Sequence, residues 1–192
     1  MQACRLTASD IACRRGDRVL FKGLSLELAA GEALQIGGAN GTGKSSLIRI
    51  LGGLLEPFAG KIDRTCQTAL LDERPALDPA LPLGAALAFW QRLDRTGQDH
   101  AAQLGLDRLV DVPVRFLSTG QKKRAALARM LGQSAPIWLL DEPLNGLDTR
   151  GTALVEALAA EHCRGGGIVV IASHQPFALA HLQRIELADF AA

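Results

Sequence analysis

Gly38-Ala39-Asn40-Gly41-Thr42-Gly43-Lys44-Ser45 decides how the rest of this chain is read. The eight residues match G-x-x-x-x-G-K-[ST] in full. Before them, 33–36 reads as a short buried strand. After them, 44–51 has helical spacing and Gly52-Gly53 stops it. A glycine-rich turn between strand and helix lets the backbone approach an anion closely, and the helix start presents its positive end. Lys44 adds a point charge for outer phosphates, Ser45 offers a hydroxyl to magnesium, and Ser46 extends the segment. A dinucleotide-binding reading fits less well, because it needs G-x-G-x-x-G without the Lys-Ser ending.

Working outward, apolar alternation at 24–28 reads as a half-buried strand and 30–32 as a turn. Residues 68–71 are a further strand. From about 72 to 134 the composition becomes helical, with helices expected at 83–93, 99–104 and 119–131, the last with Ser118 as N-cap. Strands return at 137–140, 168–172 and 184–187, with a helix at 150–162 between the first two. Strands alternating with helices predict an α/β fold with a mostly parallel, doubly wound sheet.

Composition narrows the function classes. A chain of 192 residues is long enough to bury a substantial core. Hydrophobic residues at 48% and charged residues at 21% exclude a disordered chain. Twenty-one basic against 20 acidic residues give a net charge of +1, so no basic field calls for nucleic acid. The apolar runs 137–140 and 168–172 are far short of the roughly 20 residues a membrane helix needs. The start shows no apolar signal segment, which predicts a chain on the cytosolic side. Cys4, Cys13, Cys66 and Cys163 have no C-x-x-C spacing and read as ordinary reduced thiols.

Two further segments carry chemistry. Ile137-Trp138-Leu139-Leu140-Asp141-Glu142-Pro143 places two acids at the carboxyl end of an apolar strand, where doubly wound sheets bind ligands. Carboxylates there are costly unless a cation or a proton transfer uses them. Asp141 is the candidate magnesium ligand, directly or through water, and Glu142 the group that orients or deprotonates an attacking water. The second segment is Leu117-Ser118-Thr119-Gly120-Gln121, a second phosphate-binding helix start. Two phosphate-binding ends with one nucleotide loop predict a head-to-tail dimer, in which each Ser118–Gln121 segment covers the nucleotide of the other copy.

The order of phosphate loop, Leu117 to Gln121, Asp141-Glu142, Asp148 and His174 resembles the ABC ATPase family over nearly the whole chain. The L-S-x-G-Q signature separates that family from kinases, GTPases and helicases. The resemblance implies a P-loop NTPase fold with N-terminal antiparallel strands and an inserted helical lobe. It divides a single domain, 1–192, into an α/β core (1–71 and 135–192) and a lobe (72–134). It implies ATP and Mg2+ as cofactors, contacts from Ser118 and Gly120 to the opposite γ-phosphate, Asp148 in the dimer-spanning loop, and His174 on the γ-phosphate. His100, His162 and His181 receive no role.

Within the family, 15–21, 31–36, 111–121 and Ser173-His174-Gln175 resemble the ATPases of cytochrome c maturation. That implies an ATP-hydrolysing subunit held at the cytoplasmic face of the inner membrane by separately encoded membrane subunits. It would power haem export or release of a haem-loaded chaperone. The alternatives are the ATPase of another small-molecule transporter and a soluble ABC-type switch. Two departures from the family pattern stand out. Arg74 occupies the approximate place of a glutamine that touches magnesium, and an arginine cannot accept a hydrogen bond. No tyrosine exists to stack on adenine, which leaves Arg15, or Arg14 beside it, as the candidate contact through a flat guanidinium. Phe89 and Trp90 read as core or partner contacts.

Overall fold

A computed structural model describes residues 4–95 and 99–191. Two sheets make up its β structure. The first is antiparallel, ordered β2-β1-β4, with β1 at Arg5–Arg15, β2 at Arg18–Ala29 and β4 at Ala59–Arg64. The second is parallel, ordered β5-β6-β7-β3-β8, with β3 at Ala33–Gly37, β5 at Thr68–Leu71, β6 at Ile137–Asp141, β7 at Ile168–Ala172 and β8 at Gln183–Glu186.

The central strands read as continuous apolar runs because both faces of the parallel sheet are covered. Every residue of β6 and β7 is buried. Alternate side chains feed two separate cores. Ile137, Leu139, Ile168, Val170 and Leu34 pack with the antiparallel sheet and with helix α1, Lys44–Leu51. Trp138, Leu140, Val169 and Ile171 pack on the opposite side with α3 and α4, Thr119–Gly132 and Thr149–Arg164. Helix α2, Leu83–Asp94, lies against α3.

The expected parallel sheet and N-terminal antiparallel strands are present. The helix expected at 99–104 is not. That stretch forms turns, in which Asp99 Oδ1 accepts from Ala101 N–H and Leu104 N–H bonds back to His100 and Ala101. Six residues stopped by Gly105 supply too few hydrogen bonds to repay helix nucleation. Strand β4 had no sequence signal, because five of its six residues are exposed and carry no apolar alternation. The long β1 was also hidden. Asp10 takes a positive φ of 51°, the register shifts there, and Ile11, Ala12 and Cys13 are buried in succession instead of alternately.

Cys4 and Cys66 correct the expectation of independent thiols. Their Cα atoms lie 5.7 Å apart across 62 residues of sequence, within the span of a disulfide. They join the start of β1 to the turn after β4, where Arg5 and Thr65 also exchange hydrogen bonds. Cys13 and Cys163 are free thiols, and burial raises the pKa of each.

Candidate nucleotide site

Three neighbouring strands deliver the site. The phosphate loop leaves β3, the acid pair ends β6, and His174 follows β7, which lies between them. Register pairs Ile36 with Ala172 and Asp141 with Ala172, so the three loops emerge at one level of the sheet. They line a cavity of about 380 Å³ that includes Asn40, Gly41, Gly43, Lys44, Ser45, Ser46, Glu142 and His174.

Gly43 shows why the loop needs glycine. Its φ is +109°, and a Cβ there would come within 3.2 Å of Leu20 and Phe21. It sits at the N-cap of α1 without offering a side-chain acceptor, and the first turn carries no acid. The start of α1 is thereby kept for an anion. Lys44 is only 6% exposed. Its ammonium donates to the carbonyls of Gly38 at 2.7 Å and Ala39 at 3.2 Å, and lies 3.8 Å from Glu142 Oε1. Thr42 turns its hydroxyl back to the Ala39 carbonyl at 2.9 Å. Ala39 and Gly38 also face a neighbouring cavity of about 370 Å³, which His174 and Arg184 share.

The acid pair divides by environment. Asp141 is 4% exposed, and its Oδ1 has no hydrogen-bond partner. Burial raises its pKa; the Ser45 hydroxyl lowers it, the Glu142 charge raises it further, and Arg49 opposes. A buried carboxylate oxygen without a partner, beside a serine hydroxyl, is a donor set suited to a hard divalent cation. Glu142 adopts a left-handed φ of 45°, a conformation costing about 1–3 kcal/mol for a residue with a side chain. Its N–H donates to the Ala172 carbonyl at 2.8 Å, and its carbonyl accepts from Asn145 N–H at 3.3 Å. Its carboxylate is 2.9 Å from His174 Nδ1, with the imidazole as donor.

The L-S-x-G-Q segment lies elsewhere. Ser118 caps α3 in a reciprocal box, its hydroxyl accepting from Gln121 N–H at 3.2 Å while its own N–H donates to Gln121 Oε1 at 2.8 Å. Neither Ser118 nor Gln121 lines the phosphate-loop cavity. A Cβ on Gly120 would come within 2.7 Å of the Gly146 carbonyl, so only glycine permits this approach of α3 to the loop after β6. Thr119 faces a separate cavity of about 250 Å³ shared with Asn145 and Gly146. Asp148 is the N-cap of α4, its Oδ1 accepting from Gly151 N–H at 2.7 Å.

The two departures resolve differently. Glu73, not Arg74, lines the phosphate cavity; Arg74 is exposed, and its N–H is held by Asp72 Oδ1 at 2.9 Å. Arg14 is engaged over the Phe58 ring at 4.4 Å. Arg15 instead reaches Ser46 Oγ at 3.4 Å, beside the cavity. Trp90 packs under the Arg129 guanidinium at 3.8 Å, whereas Phe89 stays exposed. Sequence reading gave no site role to Leu20, Glu73, Asn145 or Gln175. Leu20, Glu73 and Asn145 line the cavity, and Gln175 ties its own loop to Asn145 Oδ1 at 3.2 Å. None of these four belongs to a motif with a fixed spacing. Leu20 and Gln175 had a sequence signal, since 15–21 and Ser173-His174-Gln175 are among the segments that carry the family resemblance.

A phosphate loop beside a paired acid and a histidine on adjacent parallel strands defines a P-loop nucleotide hydrolase. The family model described as ABC transporter matches residues 21–145. The cytochrome c biogenesis ATP-binding export protein CcmA of Novosphingobium aromaticivorans is 59% identical over 99% of both chains. The protein of the same name from Zymomonas mobilis is 48% identical, covering 98% of this chain and 86% of its own. A putative ABC transporter ATP-binding protein from Pyrococcus furiosus superimposes with a TM-score of 0.81 over 98% of this chain and 100% of its own; at 20% identity it speaks for the fold alone. The chain belongs to the ABC transporter ATP-binding family, and within it to the cytochrome c biogenesis ATP-binding export proteins.

Proposed function

We propose that the chain is the ATP-hydrolysing subunit of an ABC transporter that acts in cytochrome c biogenesis. The observation that carries the chemistry is the convergence of Lys44, Glu142 and His174 on one cavity. Gly38, Ala39, Asn40, Gly41, Thr42, Gly43, Lys44, Ser45 and Ser46 form the phosphate-binding segment. Ser45 and Asp141 would hold Mg2+, which supplies charge neutralisation at the phosphates. Glu142 positions and deprotonates water. His174 holds Glu142 in place and faces the γ-phosphate. Arg15 is the candidate adenine contact, supported by its bond to Ser46.

The functional unit is a head-to-tail dimer. Support comes from Ser118, which is ordered by its capping box yet lies outside the phosphate cavity of its own chain. In the dimer Ser118, Thr119, Gly120 and Gln121 cover the opposite ATP, and Asp148 orders the loop that crosses between copies. The lobe at 72–134 passes the motion to integral membrane subunits at the cytoplasmic face of the inner membrane. No helix among the described residues is long and apolar enough to cross a membrane, which suits a peripheral subunit. The work done is haem export or release of a haem-loaded chaperone.

Deletion of the gene tests this reading. The expected result is loss of covalently haem-stained c-type cytochromes, restored by the intact chain but not by Lys44→Ala or Glu142→Gln. Normal c-type cytochromes in the deletion strain would overturn the assignment.

A further inference from the structure

Lys123 sits one turn into α3 and is 9% exposed, an unusual place for an ammonium. Nothing in the phosphate or magnesium chemistry uses it. Its Nζ donates to the main-chain carbonyl of Glu142 at 3.1 Å. That carbonyl belongs to the residue with the left-handed φ of 45°. Glu142 is therefore held at three places: its N–H by the Ala172 carbonyl, its carboxylate by His174, and its carbonyl by Lys123 together with Asn145 N–H. Carboxylates surround the ammonium from three elements. Glu73 and Asp72 come from the segment after β5, Asp141 from β6, and Glu142 from the loop beyond it.

We propose that Lys123 is a positioning residue for hydrolysis, which locks the Glu142 main chain in its left-handed conformation and couples the α3 start to the base of the same chain. The proposal rests on Glu142 as the base. The coupling follows from connectivity. Four residues separate Ser118 from Lys123, and the Gly120–Gly146 approach is a second tie between α3 and the same loop. A displacement of the α3 start therefore moves the carbonyl of Glu142. A shift of about 1 Å in a reacting group can cost on the order of 10²-fold in rate. Binding of nucleotide, which uses the phosphate loop, is left untouched.

The test is Lys123→Met in the full-length chain assembled with its membrane complex. The substitution keeps the stem, removes the cation, and leaves the Glu142 carbonyl bonded to Asn145 N–H. Removing the ammonium alone leaves the charges of Glu73, Asp141, Asp72 and Glu142 less compensated, so a thermal melt of the variant establishes that it is folded before its kinetics are read. The expected result is a kcat lowered about 10- to 100-fold with KM for ATP changed less than about 3-fold. Lys123→Arg, which retains the cation and serves if the Met variant fails to fold, should recover at least half of the lost logarithm of rate. Lys122→Met, at the half-buried neighbour bonded to the Arg115 carbonyl, should leave kcat unchanged. Wild-type kcat in Lys123→Met, a loss expressed wholly in KM, or an Arg variant below one tenth of the wild-type rate each overturns the proposal (about 1.4 kcal/mol per tenfold). Glu142→Gln run in parallel separates the two readings. If it hydrolyses normally, the base assignment fails; if it is inactive while Lys123→Met is normal, only the positioning role fails.

Discussion

His174 Nδ1 and Glu142 Oε2 lie 2.9 Å apart, joining the loop after β7 to the loop after β6. The same carboxylate has Lys44 Nζ 3.8 Å from its other oxygen. Glu142 is thus oriented from both sides. Glu142→Gln preserves its shape and removes the proposed base. Phosphate release should fall about 10²–10⁴-fold, while nucleotide titration shows ATP affinity within a few-fold of wild type. Turnover at the normal rate would sink the role.

Asp141 makes a prediction about the metal. Burial raises its pKa, so between the unfolded value of about 3.9 and the higher folded value the folded state holds the extra proton. Stability therefore falls as pH rises across that window, and the loss persists at neutral pH. Asp141→Asn removes it. In metal-free buffer its melting temperature at pH 7 should equal or exceed wild type. Added magnesium should no longer deepen stabilisation by ATP. Equal stabilisation of both proteins by Mg-ATP, measured by calorimetry, would count against Asp141 as a ligand.

His162 predicts an acid-sensitive edge to the fold. Its ring stacks on Trp138 at 3.8 Å, and Nε2 donates to the Pro136 carbonyl at 3.0 Å. Burial lowers its pKa, the Pro136 bond opposing. The unfolded imidazole takes up a proton near pH 6.5 and the folded one only below that, so stability should drop as pH falls below about 6.5. Thermal melts from pH 7.5 to 5, followed by tryptophan fluorescence, should show this decline, and His162→Phe should flatten it. An unchanged pH profile in the variant would assign the acid sensitivity to other groups.

The Cys4 and Cys66 pair predicts a redox-dependent stability. Oxidation closes a loop of 62 residues, for which chain-entropy bookkeeping gives about 4 kcal/mol of stabilisation as an upper figure. Wild type treated with oxidised glutathione should melt at a higher temperature than the reduced protein, with two fewer titratable thiols. Cys66→Ser should abolish the difference. A shift that survives in Cys66→Ser would place its origin elsewhere.

Much of the architecture was legible because local rules decided it. Helix α1 begins at Lys44 and ends at Leu51 as its glycine boundaries dictate. Strand β7 occupies the uninterrupted apolar run 168–172. Asp141 ends β6 at the carboxyl end of a fully buried strand. Elements without such a signature stayed hidden. Strand β4 is held by its partner β1, since its own exposed side chains specify nothing. Residues 99–104 have a helical composition, yet turns closed by Asp99 prevail.

By itself the sequence determined the phosphate loop, the acid pair and the signature segment, because each is a short run whose chemistry depends on residue type and spacing. Only the tertiary structure decided which side chains meet. The parallel register brings His174 to Glu142 across 32 residues. It puts Glu73 rather than Arg74 at the cavity, and drives the Lys123 ammonium under the Glu142 carbonyl. Those contacts depend on which strands are neighbours and at what register, and strand order is a property of the whole sheet that no local spacing encodes.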